Sequence, residues 1–391
     1  MSADTVHAHD DQSVRIGDLL LDTPVICAPM AGGPTTPALV SAVSAAGGLG
    51  MLAAGYLTAA ELAGKLDDVD SATGGRYGVN LFLPGPDVTA DPSAPVNAAI
   101  EGYRQRLAGY AGRYGVEVGA PRWFDEDIDA TVTLLGRYRP GLITTTFGDP
   151  GAELVDRIHD EVGAAVGVTV TSVAQARSAV RSGADLLIAQ GIEAGGHRGI
   201  WVDDPADPLG GPAPGTVDLV TALVAAVEIP VIGAGGLMTG ADIDAVLAAG
   251  AVAAQLGTAF LRADEAGTSP VHRDALARGR ENAGDSGPGS DEPGSDEPGP
   301  AEPDTVITRA FSGRPARSLR NAFAVDNADA PAAYPQVHYM TKPIRAGAAA
   351  AGVADDVNLW AGTGWRAAAA APAATIVERL RTELRAARDH R

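Results

Sequence analysis

One stretch of the sequence places an imidazole, a carboxylate and a guanidinium together in a glycine-rich segment. It runs from residue 189 to 199 and contains Glu193, His197 and Arg198. The apolar run before it, 185–188, is typical of a short buried strand. Parallel α/β folds carry their chemistry on polar groups just beyond the carboxyl ends of such strands. The segment alone leaves two interpretations open, a functional His197 or a tight connection in which His197 is simply solvated.

Two further glycine-rich turns each follow an apolar strand and lead into a helix. The first contains Gly233, Gly235 and Gly236, and the second contains Gly257 and Thr258. Backbone N–H groups at helix N-termini attract anions, and turns of this kind after strands seven and eight form the usual phosphate site of (β/α)₈ barrels. The pair predicts a phosphate cradle, for a phosphate of either a substrate or a cofactor.

Two carboxamide side chains stand at the ends of apolar strands, Asn80 and Gln190. An amide offers both a donor and an acceptor, which suits a heterocycle with N–H and C=O groups, although it also suits a free backbone group at a strand end. The segment Ala28, Pro29 and Met30 is apolar, so a flat ring can lie against it. Together with the phosphate cradle, these features favour a bound FMN.

The elements that must position these groups recur along the chain as strand and helix units. Apolar runs predict eight strands, at 24–28, 47–52, 77–82, 142–146, 166–170, 185–188, 229–232 and 252–256. Eight right-handed β–α units predict an α/β fold, the TIM (β/α)₈ barrel. The 391 residues exceed the roughly 250 of one such barrel, so additional segments are expected.

Several segments lie outside this repeat. We expect a disordered leader at 1–13, a barrel domain at 14–375 with a helical excursion at about 84–120, and a helical tail at 376–391. The sequence Gly-Ser-Asp-Glu-Pro occurs twice at 289–298, within a segment 282–304 that contains no Lys or Arg. Such composition buries too little apolar surface to offset its ordering entropy, so a flexible acidic insertion is expected. Ordered structure is expected to resume at 306–308, and the remainder of the chain is expected to be helical, with a connector at 335–343.

Charge and cysteine content restrict the partners. The formal net charge of −20 argues against nucleic acid or an anionic membrane as partner. The single cysteine, Cys27, excludes an internal disulfide and a cysteine-cluster metal site, and we expect it to be a small core residue. No signal-like run or membrane-span pattern is seen, so a cytoplasmic location is expected.

Taken together, these motifs resemble the nitronate monooxygenase family, formerly called 2-nitropropane dioxygenases. The matching stretches are 28–33, 78–82, 190–197, 233–236 and 255–258, and the resemblance covers roughly residues 14–370. It implies FMN-dependent oxidation of alkyl nitronates by O₂, giving a carbonyl compound and nitrite. The FMN contacts that it implies come from Ala28, Pro29, Met30, Asn80, Gln190, Gly195, Gly196, Gly233, Gly235, Gly236, Gln255, Leu256, Gly257 and Thr258.

The resemblance also implies roles for side chains around the substrate. His197 is expected to lie over the flavin and either to hydrogen-bond the nitro oxygens or to act as base for a neutral nitroalkane, because an imidazole titrates near neutrality. Glu193 is expected to orient its loop, since a second anion would repel a nitronate. The C-terminal segment is expected to contribute Tyr334, His338 and Lys342, with His338 where a tyrosine is usual and Lys342 attracting an anion such as propionate 3-nitronate.

Other interpretations remain at this point. One tyrosine of the excursion, Tyr103, Tyr110 or Tyr114, is expected to face the pocket. The same FMN barrel suits a reductase that uses NAD(P)H on quinones or enoyl thioesters. A sugar-phosphate isomerase or aldolase is disfavoured because the strand ends carry Asn, Gln and Thr rather than Lys or an acid. A nucleotide-binding scaffold acting through the acidic repeat is the non-catalytic alternative. The expected partners are a nitronate and O₂, and the expected assembly is a monomer or homodimer.

Overall fold

The computed structural model describes residues 12–284 and 304–390. Residues 1–11 of the predicted leader and 285–303 of the predicted acidic insertion lie outside the described residues. The strands are β1 (Val14–Ile16), β2 (Leu19–Leu21), β3 (Val25–Cys27), β4 (Leu49–Ala53), β5 (Gly78–Phe82), β6 (Leu142–Thr146), β7 (Ala165–Val170), β8 (Leu186–Gln190), β9 (Gly196–His197), β10 (Val231–Ala234), β11 (Ala253–Leu256), β12 (Thr305–Thr308) and β13 (Ala316–Leu319).

Twelve α-helices occur in the described part of the chain. They are α1 (Pro37–Ala45), α2 (Ala59–Thr73), α3 (Pro95–Arg113), α4 (Ile128–Tyr138), α5 (Gly151–Arg157), α6 (Val173–Arg181), α7 (Thr216–Val224), α8 (Gly240–Ala248), α9 (Pro270–Gly284), α10 (Ala322–Asp326), α11 (Gln336–Ala350) and α12 (Ala373–Asp389). Capping side chains in the sequence set where several of these helices begin. Thr36 and Ser172 cap α1 and α6 with their side chains, and Thr58 forms a capping box with Glu61 at α2. None of the described helices has both the length and the apolar character that crossing a bilayer requires.

Eight parallel strands close into a barrel, which confirms the predicted fold class. They are β3 to β8, β10 and β11, paired in chain order, and β11 closes the barrel against β3. Two strands extend further than predicted. β8 runs through Gln190 and β10 through Ala234, so Gly233 lies in a strand rather than in the following turn.

The barrel interior has an apolar lower part and a polar upper part. Side chains alternate between the interior and the surrounding helices along each strand. Near the amino-terminal ends, large aliphatic chains pack with the β1–β2 hairpin: Ile26, Leu49, Met51, Leu142, Leu186, Ile188 and Ile232. Each contributes about 1.5–3 kcal/mol by its burial. Nearer the carboxyl ends the interior is polar, with Asn80 bonded to threonines of β6.

The outward-facing side chains of the strands form the second part of the core. Cys27 is fully buried there among aliphatic side chains of the barrel and its helices, as expected of a core residue. Burial raises the pKa of its thiol well above the ordinary value. The C-terminal helix α12 begins at Ala373, three residues before the predicted tail, and packs Ile376 and Leu380 into this layer.

A smaller lobe covers one side of the barrel mouth. The predicted excursion contains α3, whose buried face packs with α11 through Ile100, Leu107, Val337 and Met340. The prediction that the chain after 306–308 is helical is wrong at β13, which pairs antiparallel with β12 and with β9. The predicted connector at 335–343 is also wrong, since it lies almost entirely within α11, which includes Pro343.

Candidate functional site

His197 lies at the barrel mouth in a loop that its neighbours hold in place. It belongs to β9 and pairs with Ala316 of β13. Gln190, at the end of β8, donates from Nε2 to the His197 carbonyl (3.1 Å), and its Oε1 accepts the Gly199 N–H. The amide therefore fixes the path of the His197 loop.

Glu193 anchors the same loop to the start of α7, in line with its predicted orienting role. Its carboxylate accepts hydrogen bonds from the backbone N–H and the hydroxyl of Thr216, at 3.0 and 2.9 Å. Arg198 points away from the mouth, where its guanidinium donates to carbonyl oxygens of the 209–212 loop. Of the three chemically capable side chains in this segment, only His197 remains available to a ligand.

The His197 imidazole is enclosed by rings and held by one hydroxyl. Its Nε2 is 2.9 Å from the Ser312 Oγ. The rings of Phe147, Tyr334 and Trp360 have their centroids 5.8, 5.7 and 5.4 Å from the imidazole centroid. Burial first, and then the charges of two arginines, lower the pKa of His197 to about 3. The imidazole is therefore neutral at physiological pH and is a weak base.

A second group of rings adjoins the first. Tyr56 stacks on His338, with centroids 3.9 Å apart and the planes nearly parallel, and its ring centroid is 6.2 Å from that of Tyr334. Tyr56 follows β4 with a positive φ of 68°. The Glu126 carboxylate holds this turn by accepting the Tyr56 N–H at 2.7 Å. Tyr334 and His338, both predicted to bind substrate, therefore lie in one aromatic wall beside His197.

None of the excursion tyrosines lies in this wall. The hydroxyls of Tyr103, Tyr110 and Tyr114 bond instead to the Ala310 carbonyl and to the carboxylates of Asp326 and Asp356. Tyr56 takes the place expected of them. Its position three residues beyond the carboxyl end of β4 is the sequence signal that could have found it. Phe147 directly follows β6, also with a positive φ, and backbone strain of this kind is concentrated at functional sites.

Two buried guanidinium groups flank the wall. Arg314 lies over the Phe147 ring, with Cζ 4.1 Å from its centroid. Arg345 donates to neutral acceptors, namely the Thr341 hydroxyl, the Asn358 amide oxygen and the His338 carbonyl. Burial lowers the pKa of each arginine to about 10, so both remain cationic. Sequence reasoning missed both, because nothing near them in the chain marks their effect on the pKa of His197.

Lys342 occupies a different environment from its neighbours on α11. Its side chain is exposed, whereas His338 and Thr341 are buried. Burial and the nearby positive charges, Arg345 first, lower the pKa of His338 well below its ordinary value, so His338 is neutral. The cations that act on the pKa of His197 are the two arginines rather than the predicted lysine.

The predicted cofactor residues divide into two groups. Half-buried at the mouth are Ala28, Pro29, Met30, Gln190, Gly195, Gly196, Gly235, Gly236, Gln255, Gly257 and Thr258. The Gln190 amide is already bonded within the His197 loop, and three other predicted residues are occupied within the barrel wall. Asn80 donates to Thr144 and Thr146, the Leu256 carbonyl accepts from the Ala28 N–H, and Gly233 packs against Val246 of α8.

The mouth residues fit the chemistry of FMN. Among the described residues, the backbone N–H groups of Gly235, Gly236 and Gly257 meet no acceptor, and the Gln255 amide is unbonded. Gly235 and Gly236 have positive φ, which glycine adopts without strain. A Cβ at Gly257 would come within 3.5 Å of the Ala28 Cβ and 3.8 Å of the Met30 sulfur, so glycine keeps the space over the apolar floor open. Free amide donors beside an open apolar surface suit a phosphate and a flat ring.

Comparison with known proteins identifies relatives over nearly the whole chain. A family model described as nitronate monooxygenase matches residues 14–283 and 298–383. A probable nitronate monooxygenase from Staphylococcus aureus strain Newman is 35% identical over 367 residues, covering 93% of this chain and 94% of the relative.

Solved structures also match over nearly the whole chain. The nitroalkane oxidase from Streptomyces ansochromogenes is 41% identical, with a TM-score of 0.83, and the match covers 95% of this chain and 98% of that one. FabK from Thermotoga maritima is 25% identical with a TM-score of 0.67, covering 95% of each chain.

Proposed function

Because the chain belongs to the nitronate monooxygenase family, we propose that this oxidoreductase uses FMN and O₂ to convert alkyl nitronates into a carbonyl compound and nitrite. The observation that carries the proposal is a neutral His197 beneath an aromatic wall, flanked by the buried cations Arg314 and Arg345. Their positive potential favours an anionic substrate, and the neutral imidazole adds no negative charge that would repel it. Propionate 3-nitronate is the substrate we expect to be oxidised.

In this proposal the barrel mouth holds FMN. The free N–H groups of Gly235, Gly236 and Gly257 would hold its phosphate, and its ring would lie on Ala28 and Met30. Bound FMN supplies the electron transfer and the reaction with O₂, while the protein binds the substrate and excludes water. The rings that enclose His197 would provide this exclusion.

The role of His197 follows from how its ring is held. Ser312 occupies Nε2, and no described residue bonds Nδ1. Nδ1 is therefore the atom that would bond a nitro oxygen or remove a proton from a neutral nitroalkane. The low pKa keeps the ring neutral near neutral pH but makes it a weak base, so for a nitronate substrate the hydrogen bond to a nitro oxygen is the favoured role.

Two measurements test the proposal. The purified protein should show a flavin absorbance spectrum and release nitrite from propionate 3-nitronate. In anaerobic mixing, rapid bleaching of the flavin by the nitronate is expected, whereas bleaching by NADPH alone would favour a reductase. A colourless protein that does not take up added flavin would refute the proposal.

A variant tests His197 itself. His197→Asn should retain the flavin spectrum, because the side chain lies among rings rather than at the phosphate cradle, and should lose most of its turnover. Full activity in this variant would remove His197 from the mechanism.

A further inference from the structure

Three polar atoms in the wall beside His197 are buried without a hydrogen-bond partner among the described residues. They are the hydroxyl oxygens of Tyr56 and Tyr334 and the Nε of Arg314. The two hydroxyls lie close enough for each to act on the pKa of the other, and even where one donates to the other, the second O–H has no acceptor. A buried donor without an acceptor is costly, and such groups are rare in folded proteins. The unsatisfied O–H and the Arg314 Nε–H beside one imidazole indicate that a ligand completes their bonding.

The charge of Arg314 indicates the type of ligand. Its guanidinium is buried, contacts the Phe147 ring and donates to the Ile200 carbonyl, and no described carboxylate pairs with it. Asp203, the acidic residue that acts on its pKa, is already paired with Arg309. A buried cation without a counter-ion is stabilised by a bound anion.

The geometry of the donors further restricts the chemical class of the ligand. Two phenolic O–H groups and one guanidinium N–H are all donors to oxygen, and Arg314 Nε–H lies in the plane of a rigid fork that suits planar oxyanions. The backbone carbonyl oxygen of Arg314 also lies 3.2 Å from the Ser312 Oγ, which contacts His197. The three donors and the imidazole are therefore parts of one connected site.

We infer that Tyr56, Tyr334 and Arg314 form an oxyanion subsite that binds the oxygens of the substrate's nitronate group beside His197. This inference rests on the proposed function and adds Tyr56 and Arg314 as substrate-positioning residues. Binding at this subsite satisfies the unpaired donors and gives Arg314 its counter-ion.

Nitrate is the probe, because it is a planar oxyanion with the N–O geometry of a nitronate and is not oxidised. The full-length protein as isolated is titrated with nitrate, and the rise in thermal midpoint gives the dissociation constant. Tyr56→Phe should weaken nitrate binding about tenfold while leaving the midpoint without nitrate unchanged or higher, since it removes a hydroxyl that has no partner. Arg314→Met should weaken binding by about tenfold or more, and Arg314→Lys should restore only part of the loss.

Arg309→Met is the matched control, because it removes an equal charge from a guanidinium already paired with Asp203, and its nitrate affinity should stay within about twofold of wild type. Wild-type affinity in Tyr56→Phe, or no nitrate binding by the wild type, would overturn the inference, and Tyr56→Phe decides the matter if Arg314→Met does not fold.

Propionate in place of nitrate tests the other anionic end of the substrate. Binding of propionate in preference to nitrate would overturn the assignment to the nitronate group. Nitrate binding that depends on Arg314 in a protein without nitronate turnover would refute the proposed function alone.

Discussion

Replacing Ser312 with alanine is expected to slow nitronate oxidation by freeing the His197 ring. The Ser312 Oγ lies 2.9 Å from Nε2 of His197 and 3.2 Å from the Arg314 carbonyl oxygen, two acceptors for one hydroxyl proton. With that proton directed to the nearer acceptor, Nε2, the ring proton lies on Nδ1. Nδ1–H then faces the substrate as a donor to a nitro oxygen. Removing Oγ removes both the anchor and the preference for this tautomer.

The size of the effect follows from the single bond that is lost. A neutral hydrogen bond contributes about 0.5–1.5 kcal/mol net, and 1.4 kcal/mol corresponds to a factor of ten. For Ser312→Ala we therefore expect kcat/KM to fall by about 2- to 12-fold, with flavin content unchanged. The assay is nitrite release from propionate 3-nitronate, measured as a function of substrate concentration and pH.

Ser318→Ala provides the matched control. The Ser318 hydroxyl accepts the Leu359 N–H at 3.1 Å in the buried part of the small lobe and has no contact with His197. This variant should lose about 1–3 kcal/mol of stability, because it leaves a buried N–H unpaired, and should keep its kcat/KM. Unchanged kcat/KM and pH profile in Ser312→Ala, or an equal loss in both variants, would refute the assignment of Ser312 as the group that sets the tautomer.

Three further outcomes are expected. Since the pKa of His197 is lowered to about 3, kcat/KM should show no loss from this group as the pH falls from 7 to 5, and a limb near 6.5 would contradict its neutral, buried state. Burial raises the pKa of Glu126 to about 7, so the unfolded state ionises first, and the free energy of unfolding should fall as the pH rises from about 4.5 to about 7. In urea denaturation, the free energy of unfolding of Glu126→Gln should not fall over this pH range. The same fall as in the wild type would exclude Glu126 as its source. Gly257→Ala should fold with a normal thermal midpoint, because its Cβ makes only ordinary contacts, yet bind less flavin; full flavin content would place the cofactor away from this turn.

The barrel was predictable from sequence because its signals are local. Each strand is a short aliphatic run, and residues such as Thr36 and Ser172 mark the starts of helices by bonding N–H groups three positions away. The glycine-rich segment around His197 is likewise contiguous, so its position after a strand followed from residue order. The orienting role of Glu193 followed instead from the repulsion between a second anion and a nitronate.

The aromatic wall was not predictable in the same way. The pairing of β13 with β9 joins residues more than a hundred positions apart, and no turn links them to set a register. Arg345 was hidden because two prolines suggested a connector, whereas α11 continues and returns Arg345 to the face of His338 seven positions earlier. Lys342 was favoured on family resemblance, and only the packing of the helix shows that its side chain is exposed.

The aliphatic side chains near the amino-terminal ends of the strands, together with the β1–β2 hairpin, close the lower end of the barrel. A substrate therefore reaches His197 from the barrel mouth, past the aromatic wall, and the product leaves by the same route. For the proposed reaction, nitrite on its way out obstructs the next nitronate on its way in. Accumulating nitrite should therefore raise the apparent KM for the nitronate and leave the limiting rate unaltered.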